Sequence, residues 1–129
     1  MIAYLDSSAF VKLVTEEDES AALADALEAW PDRASSRLLR IEVLRAARLS
    51  GAQAVARAAG LLHDVALLPL ADSLLEQALD VRPAAVRTLD AIHLATALEL
   101  GDELGVLISY DMRMLEGARE LELDTLTPA

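Results

Sequence analysis

Apolar residues fall along this chain in short continuous runs set between longer stretches with helical spacing. Residues 2–5, Ile-Ala-Tyr-Leu, stop at Asp6-Ser7-Ser8, which is the pattern of a buried strand handing over to a helix cap. A helix over residues 9–14 follows, and a second amphipathic helix runs over 20–30 and closes before Pro31. The acid run Glu16 to Glu19 ahead of it suits a helix N-terminus, where negative charge opposes the dipole favourably. Residues 34–36 form a short strand candidate. Helices over 37–50 and 52–64 come next, broken at Gly51, and residues 65–70 read as a second clear strand. A helix over 72–81 and a connector after Arg82-Pro83 lead to a helix over 89–100 that ends at Gly101. The pattern closes with a strand over 106–109, a helix over 112–121 and a short strand near 124–126. Strands that alternate with helices imply a parallel sheet covered on both faces.

A length of 129 residues suits one domain, 1–129, and neither a repeat nor a linker divides it. Hydrophobic residues make up 54% of the chain and the mean hydropathy is +0.33, which raises the question of a membrane segment. The most apolar stretches, 65–71 and 91–100, fall well short of the roughly 18 to 20 apolar residues that a span needs. The first residues lack a basic region ahead of an apolar run, so no secretory signal is expected and a cytoplasmic location is the default. Cysteine is absent, so any metal must be held by oxygen or imidazole.

A formal net charge of −11 argues at first against a nucleic-acid partner. Its distribution qualifies that. Arg33, Arg37, Arg40, Arg45, Arg48 and Arg57 lie in one stretch against a single acid, Glu42. Arginine supplies ten of the eleven positive charges, and its planar fork matches phosphate. The plainer reading of this stretch is a solvated helix face.

Four acids stand out. Asp6 follows the first strand and Asp111 follows the fourth, and ligands in open parallel sheets bind at the strands' C-terminal ends. At about 100° per residue, Glu42 shares a helix face with Leu38, Leu39, Ala46 and Leu49, while the arginines spread over the other side. A carboxylate on an apolar face needs a partner, either a salt bridge, such as one to a distant arginine, or a metal. Asp90 opens a helix that is apolar nearly all round, with Thr88 as its expected cap. Alone it would read as a dipole partner in the first turn, but four such acids are hard to assign to four separate caps. Carboxylates gathered in one crevice repel each other. Mg²⁺ or Mn²⁺ is the ordinary remedy and can activate water for phosphodiester hydrolysis. His93 and His63 read as a packed or hydrogen-bonded histidine and a helix-end residue. Trp30 is expected to pack at a helix terminus.

On these residues the chain resembles the PIN-domain nucleases, and within them the VapC-type toxins of toxin–antitoxin pairs. The resemblance is carried by Tyr-Leu-Asp6-Ser-Ser-Ala, by Glu42 in Leu-Leu-Arg-Ile-Glu-Val, by Arg-Thr-Leu-Asp90-Ala-Ile-His-Leu-Ala-Thr-Ala and by Ser109-Tyr-Asp111. It spans essentially the whole chain, and the third block is its most specific part. The resemblance implies a three-layer α/β/α sandwich with a mostly parallel sheet, and an endoribonuclease dependent on Mg²⁺ or Mn²⁺. Asp6 and Asp90 would be the principal metal ligands, Asp111 a direct or water-mediated one, and Glu42 a ligand or an orienter of the attacking water. Ser7 and Ser109 match hydroxyl positions that support the acids. The resemblance also implies an RNA substrate, with Arg37 and Arg40 as candidate contacts, a homodimer, and a cognate antitoxin that enters the active-site groove.

Rival readings lack their parts. A phosphate-receiving signalling domain needs a lysine after a late strand, and Lys12 is the only lysine. An aspartyl phosphatase needs a second acid two residues after Asp6, where Ser8 stands. Flap nucleases carry far longer insertions. What remains is a binding module of the same fold without catalysis.

Overall fold

The computed structural model describes residues 1–82 and 86–129. Five strands, β1 (Ile2–Leu5), β2 (Arg33–Ser36), β3 (Ala66–Leu68), β4 (Leu104–Ile108) and β5 (Thr125–Leu126), form one sheet in the order β3-β2-β1-β4-β5. Every neighbouring pair is parallel. The helices are α1 (Ser7–Val14), α2 (Ser20–Leu27), α3 (Arg37–Arg48), α4 (Ala52–Leu62), α5 (Asp72–Ala78), α6 (Thr88–Glu99) and α7 (Met112–Glu120). All the strands and helices read from the hydrophobic pattern are present. The connector expected after Arg82 falls, at residues 83–85, outside the described residues.

The alternation of side chains along the strands makes three layers. Ala3 and Leu5 of β1, with Val106 and Ile108 of β4, point into a core closed by Phe10, Leu23, Leu39, Val43 and Leu62 from α1 to α4. Tyr4 and Leu107 point the other way, onto Leu94 and Ala97 of α6 and Met114 and Ala118 of α7. Period-two alternation in the two middle strands thus buries both faces. Trp30 lies across Gly105 of β4, where a β-carbon would come within 2.3 Å of the indole ring. Gly51 separates α3 from α4 with φ +101°, a conformation that glycine adopts without strain.

Several boundaries differ from the sequence expectation for local reasons. Helix α1 starts at Ser7 rather than at residue 9, because Asp6 is itself the N-cap and accepts from the Ala9 amide at 3.0 Å. Helix α6 starts at Thr88, so Thr88 is its first residue and not its cap; Arg87 holds that position without a side-chain bond. Helix α3 buries the stripe Leu39, Val43, Ala47, leaving Ala46 exposed and Leu49 91% exposed. The wheel placed Glu42 in the middle of the buried face; it stands at the margin.

Candidate active site

The strand order reverses direction around β1, since β2 lies on one side of it and β4 on the other. The switch point between β1 and β4 is where adjacent connections leave to opposite faces and open a crevice at the strands' C-terminal ends. Asp6 stands at the end of β1 and Asp111 just beyond β4.

Asp6 is 2% exposed and bonded at both oxygens, with an acceptor site left on Oδ2. Its Oδ1 accepts from the Ala9 amide and from Ser8 Oγ at 2.7 Å, and its Oδ2 accepts from Ser109 Oγ at 2.6 Å. Burial pushes its carboxyl above the usual carboxylate range, opposed by those three hydrogen bonds and by the nearby His93. The two serines also stitch the strand ends together. Ser8 Oγ accepts from the Tyr110 amide at 2.9 Å, and Ser109 Oγ from the Asp111 amide at 3.0 Å. Each hydroxyl has one proton and directs it at Asp6, so their mutual 3.3 Å approach adds no further donor to the network.

Asp111 caps α7. Its Oδ1 accepts from the amides of Arg113, at 2.9 Å, and Met114, at 3.4 Å, so Oδ2 takes no part in the cap. Glu42 reaches the crevice from α3 with its side chain 19% exposed. Its Oε1 meets His93 Nε2 at 2.7 Å and its Oε2 accepts from Ser7 Oγ at 3.3 Å. The partner that a carboxylate on this helix required is therefore a histidine from α6 and not a distant arginine.

Asp90 lies in the first turn of α6, partly buried. Its pKa is pushed up to about 6, first by loss of solvent and then by the negative charges of Asp111, Asp6 and Glu42, with His93 acting the other way. The other three acids picked out in the sequence thus lie within electrostatic reach of Asp90. Their mutual repulsion is the property a bound cation removes.

The supporting roles divide by residue. Ser109 bonds Asp6 and Ser7 bonds Glu42. Ser8 was not singled out in the sequence, although a second hydroxyl beside Asp6 was visible in Asp6-Ser7-Ser8. His93 is packed and hydrogen-bonded, as expected, yet its bond is to one of the four acids. His63 caps the end of α4. Of the basic stretch, Arg37, Arg40, Arg45 and Arg48 are exposed. Arg33 instead donates to the carbonyls of Trp30 and Leu27, and Arg57 to that of Leu13, which fixes those two in the fold.

The donor set of the crevice is carboxylate oxygen, the preference of a hard divalent cation. Among the described residues no three acids or histidines close into a ready-made cage. An ion of the Mg²⁺ type keeps several waters and takes one or two carboxylates together with substrate phosphate. The residues fit such an ion.

Comparison with known proteins agrees with this architecture. The family model described as PIN domain matches residues 3–120. Ribonuclease VapC46 of Mycobacterium tuberculosis is 45% identical, with 98% of this chain and 97% of that protein covered. Ribonuclease VapC47 of the same organism is 38% identical, with 97% and 96% covered. A toxin–antitoxin complex from Klebsiella pneumoniae contains a chain similar to this one with a TM-score of 0.76 and 25% identity, over 98% of each chain. The chain belongs to the PIN domain family, in its VapC branch.

Proposed function

We propose that this chain is a single-domain, metal-dependent endoribonuclease, the toxin of a type II toxin–antitoxin pair. The observation that carries the reading is the convergence of Asp6, Glu42, Asp90 and Asp111 at the switch point of a parallel sheet, expressed in the raised pKa of Asp90. The names of the relatives support the ribonuclease and the antitoxin partner. The homodimer rests on the family resemblance, and the cytoplasmic location on the lack of a secretory pattern in the first residues. Among the described residues no helix is long and apolar enough to cross a membrane.

In this reading Asp6, Asp90 and Asp111 hold Mg²⁺ or Mn²⁺. When bound, the ion lowers the pKa of water and offsets charge that develops on the phosphate. Glu42 accepts a hydrogen bond from the attacking water and orients it toward phosphorus. Ser8 and Ser109 keep the Asp6 carboxylate in one plane through opposed bonds to its two oxygens. The exposed guanidinium groups of Arg37 and Arg40 on α3 hold the flanking backbone phosphates and so place the polyanion over an acidic centre.

Incubation of the purified protein with a mixed pool of folded RNAs, in Mg²⁺, in Mn²⁺ and in chelator, tests the reading. Cutting in either metal and none in chelator is expected. Equal cutting in chelator would contradict the metal-held centre, and no cutting in any condition would favour the non-catalytic binding module.

A further inference from the structure

Tyr4 and His93 have no role in the reaction described so far, yet they form a continuous hydrogen-bonded chain into the site. The Tyr4 hydroxyl lies 2.7 Å from His93 Nδ1, and His93 Nε2 lies 2.7 Å from Glu42 Oε1. Both side chains are buried, Tyr4 at 0% and His93 at 1% exposure, and their rings meet edge to face at 77°. Tyr4 comes from the central strand, His93 from α6 and Glu42 from α3, so the chain crosses from the core of the sheet to the crevice.

The direction of each bond follows from what the atoms can do. An ionised carboxylate only accepts, so His93 Nε2 must carry a hydrogen. In the neutral ring Nδ1 is then a lone pair, and the Tyr4 hydroxyl donates to it. Burial drives the Tyr4 pKa upward, which keeps that hydroxyl protonated and able to donate. With Ser7 on Oε2 and His93 on Oε1, the Glu42 carboxylate has a donor on each oxygen and is fixed in plane and direction.

We infer that His93, held from behind by the Tyr4 hydroxyl on its Nδ1, is a positioning residue that sets the Glu42 carboxylate for the attacking water; this rests on the ribonuclease reading above. Groups that orient a site's inner residues typically cost about 10- to 100-fold when removed. Their loss falls on kcat when the aligned group acts in the transition state.

The test uses the full chain, with Tyr4→Phe, His93→Gln and His93→Ala compared with wild type. Cleavage of the mixed RNA pool in Mg²⁺ gives kcat and KM, and thermal unfolding checks each fold. Independently, ¹⁵N imidazole spectra of the metal-free protein read the tautomer. The expected results are a kcat loss of about 10- to 100-fold in His93→Ala, a smaller loss in Tyr4→Phe with KM little changed, and partial recovery in His93→Gln, whose amide can still donate to Glu42. The wild-type spectrum is expected to show hydrogen on Nε2 and an accepting Nδ1, with that preference weakened in Tyr4→Phe. Wild-type kcat in folded Tyr4→Phe and His93→Ala together with a lowered unfolding temperature would overturn the inference and leave a structural histidine. A wild-type spectrum with hydrogen on Nδ1 alone would overturn it as well. If the wild type cuts nothing, the ribonuclease reading fails, and the positioning role falls with it even where the spectrum shows the bonded tautomer.

Discussion

The two edges of the sheet both carry acids and treat them differently. At the N-terminal edge Asp32, Asp64, Asp102 and Glu103 line a groove, all of them exposed, and none takes part in an ion pair among the described residues. At the C-terminal edge Asp6 is buried, and Asp6, Glu42 and Asp111 are held by hydroxyls, amides or a ring nitrogen. The cause lies in the parallel topology. Helices α1, α3 and α7 begin where β1, β2 and β4 end, so the C-terminal edge gathers helix N-termini, with their free amides and positive dipole ends. Helices α2, α4 and α6 finish at the opposite edge and point their carbonyls toward it. Acids at one edge are met by amides and hydroxyls yet crowded together and partly stripped of water, and acids at the other are left to solvent. A phosphate would meet the same asymmetry.

The sharpest contrast comes from neutralising acids edge by edge. Asp90→Asn and Glu42→Gln are each expected to lower RNA cleavage in Mg²⁺ by about 100-fold or more. Asp32→Asn and Asp64→Asn in the same assay are expected to stay close to wild type. Comparable losses at both edges would erase the distinction.

Stability gives a second contrast. Ser109→Ala removes the donor on Asp6 Oδ2 and the acceptor for the Asp111 amide, both in the buried network. A cost of about 1–3 kcal/mol is expected in the metal-free protein at neutral pH, measured by denaturant unfolding. Ser109→Thr, which keeps the hydroxyl, separates lost bonding from altered packing.

The like-charge repulsion itself should be measurable with pH. The Asp90 pKa is raised to about 6 in the fold, so between about pH 4 and pH 6 the native state holds a proton that the unfolded chain has lost. The native protein binds more protons over that window, and the stability of the metal-free protein therefore falls as pH rises through it. Asp90→Asn removes this slope and, after discounting for the group's partial exposure, should stabilise the metal-free protein by about 1 kcal/mol at pH 7. Below about pH 4 the gain should vanish. Thermal unfolding at pH 4 and pH 7 reads both values, and a destabilised Asp90→Asn would make Asp90 a structural residue. The smallest effect belongs to the arginine face. Arg37→Ala or Arg40→Ala should flatten the dependence of log affinity on log salt by about one unit per phosphate contact. An unchanged slope would leave those arginines as solvent coating.

The acids were legible in the sequence because their positions are local facts. Asp6 and Asp111 follow short apolar runs that read as strands, and strand ends in a parallel sheet converge. The strands and helices were legible for the same reason, since runs such as residues 2–5 end at polar cap residues. What was not legible depends on how helices roll against their neighbours. Helix α3 packs on α1 and α4 through Leu39, Val43 and Ala47, which turns Ala46 and Leu49 outward and carries Glu42 to the margin of the buried stripe. The Glu42 partner His93 lies 51 positions away, and no spacing announces a bond between two helices that meet only in the folded chain. Ser8 was open to view, because two hydroxyls after Asp6 offered two potential donors.

The most direct measurement follows Mn²⁺ into the protein by NMR, since the paramagnetic ion broadens amide signals close to where it binds. Substoichiometric Mn²⁺ is expected to erase the amides of Ser8, Asp90, Tyr110 and Asp111 first, and Asp6→Asn to weaken that effect while the amides of Asp32, Asp64 and Asp102 persist. Broadening that begins at Asp32, Asp64 and Asp102, or that is unchanged in Asp6→Asn, would contradict a cation centre at the C-terminal edge of the sheet.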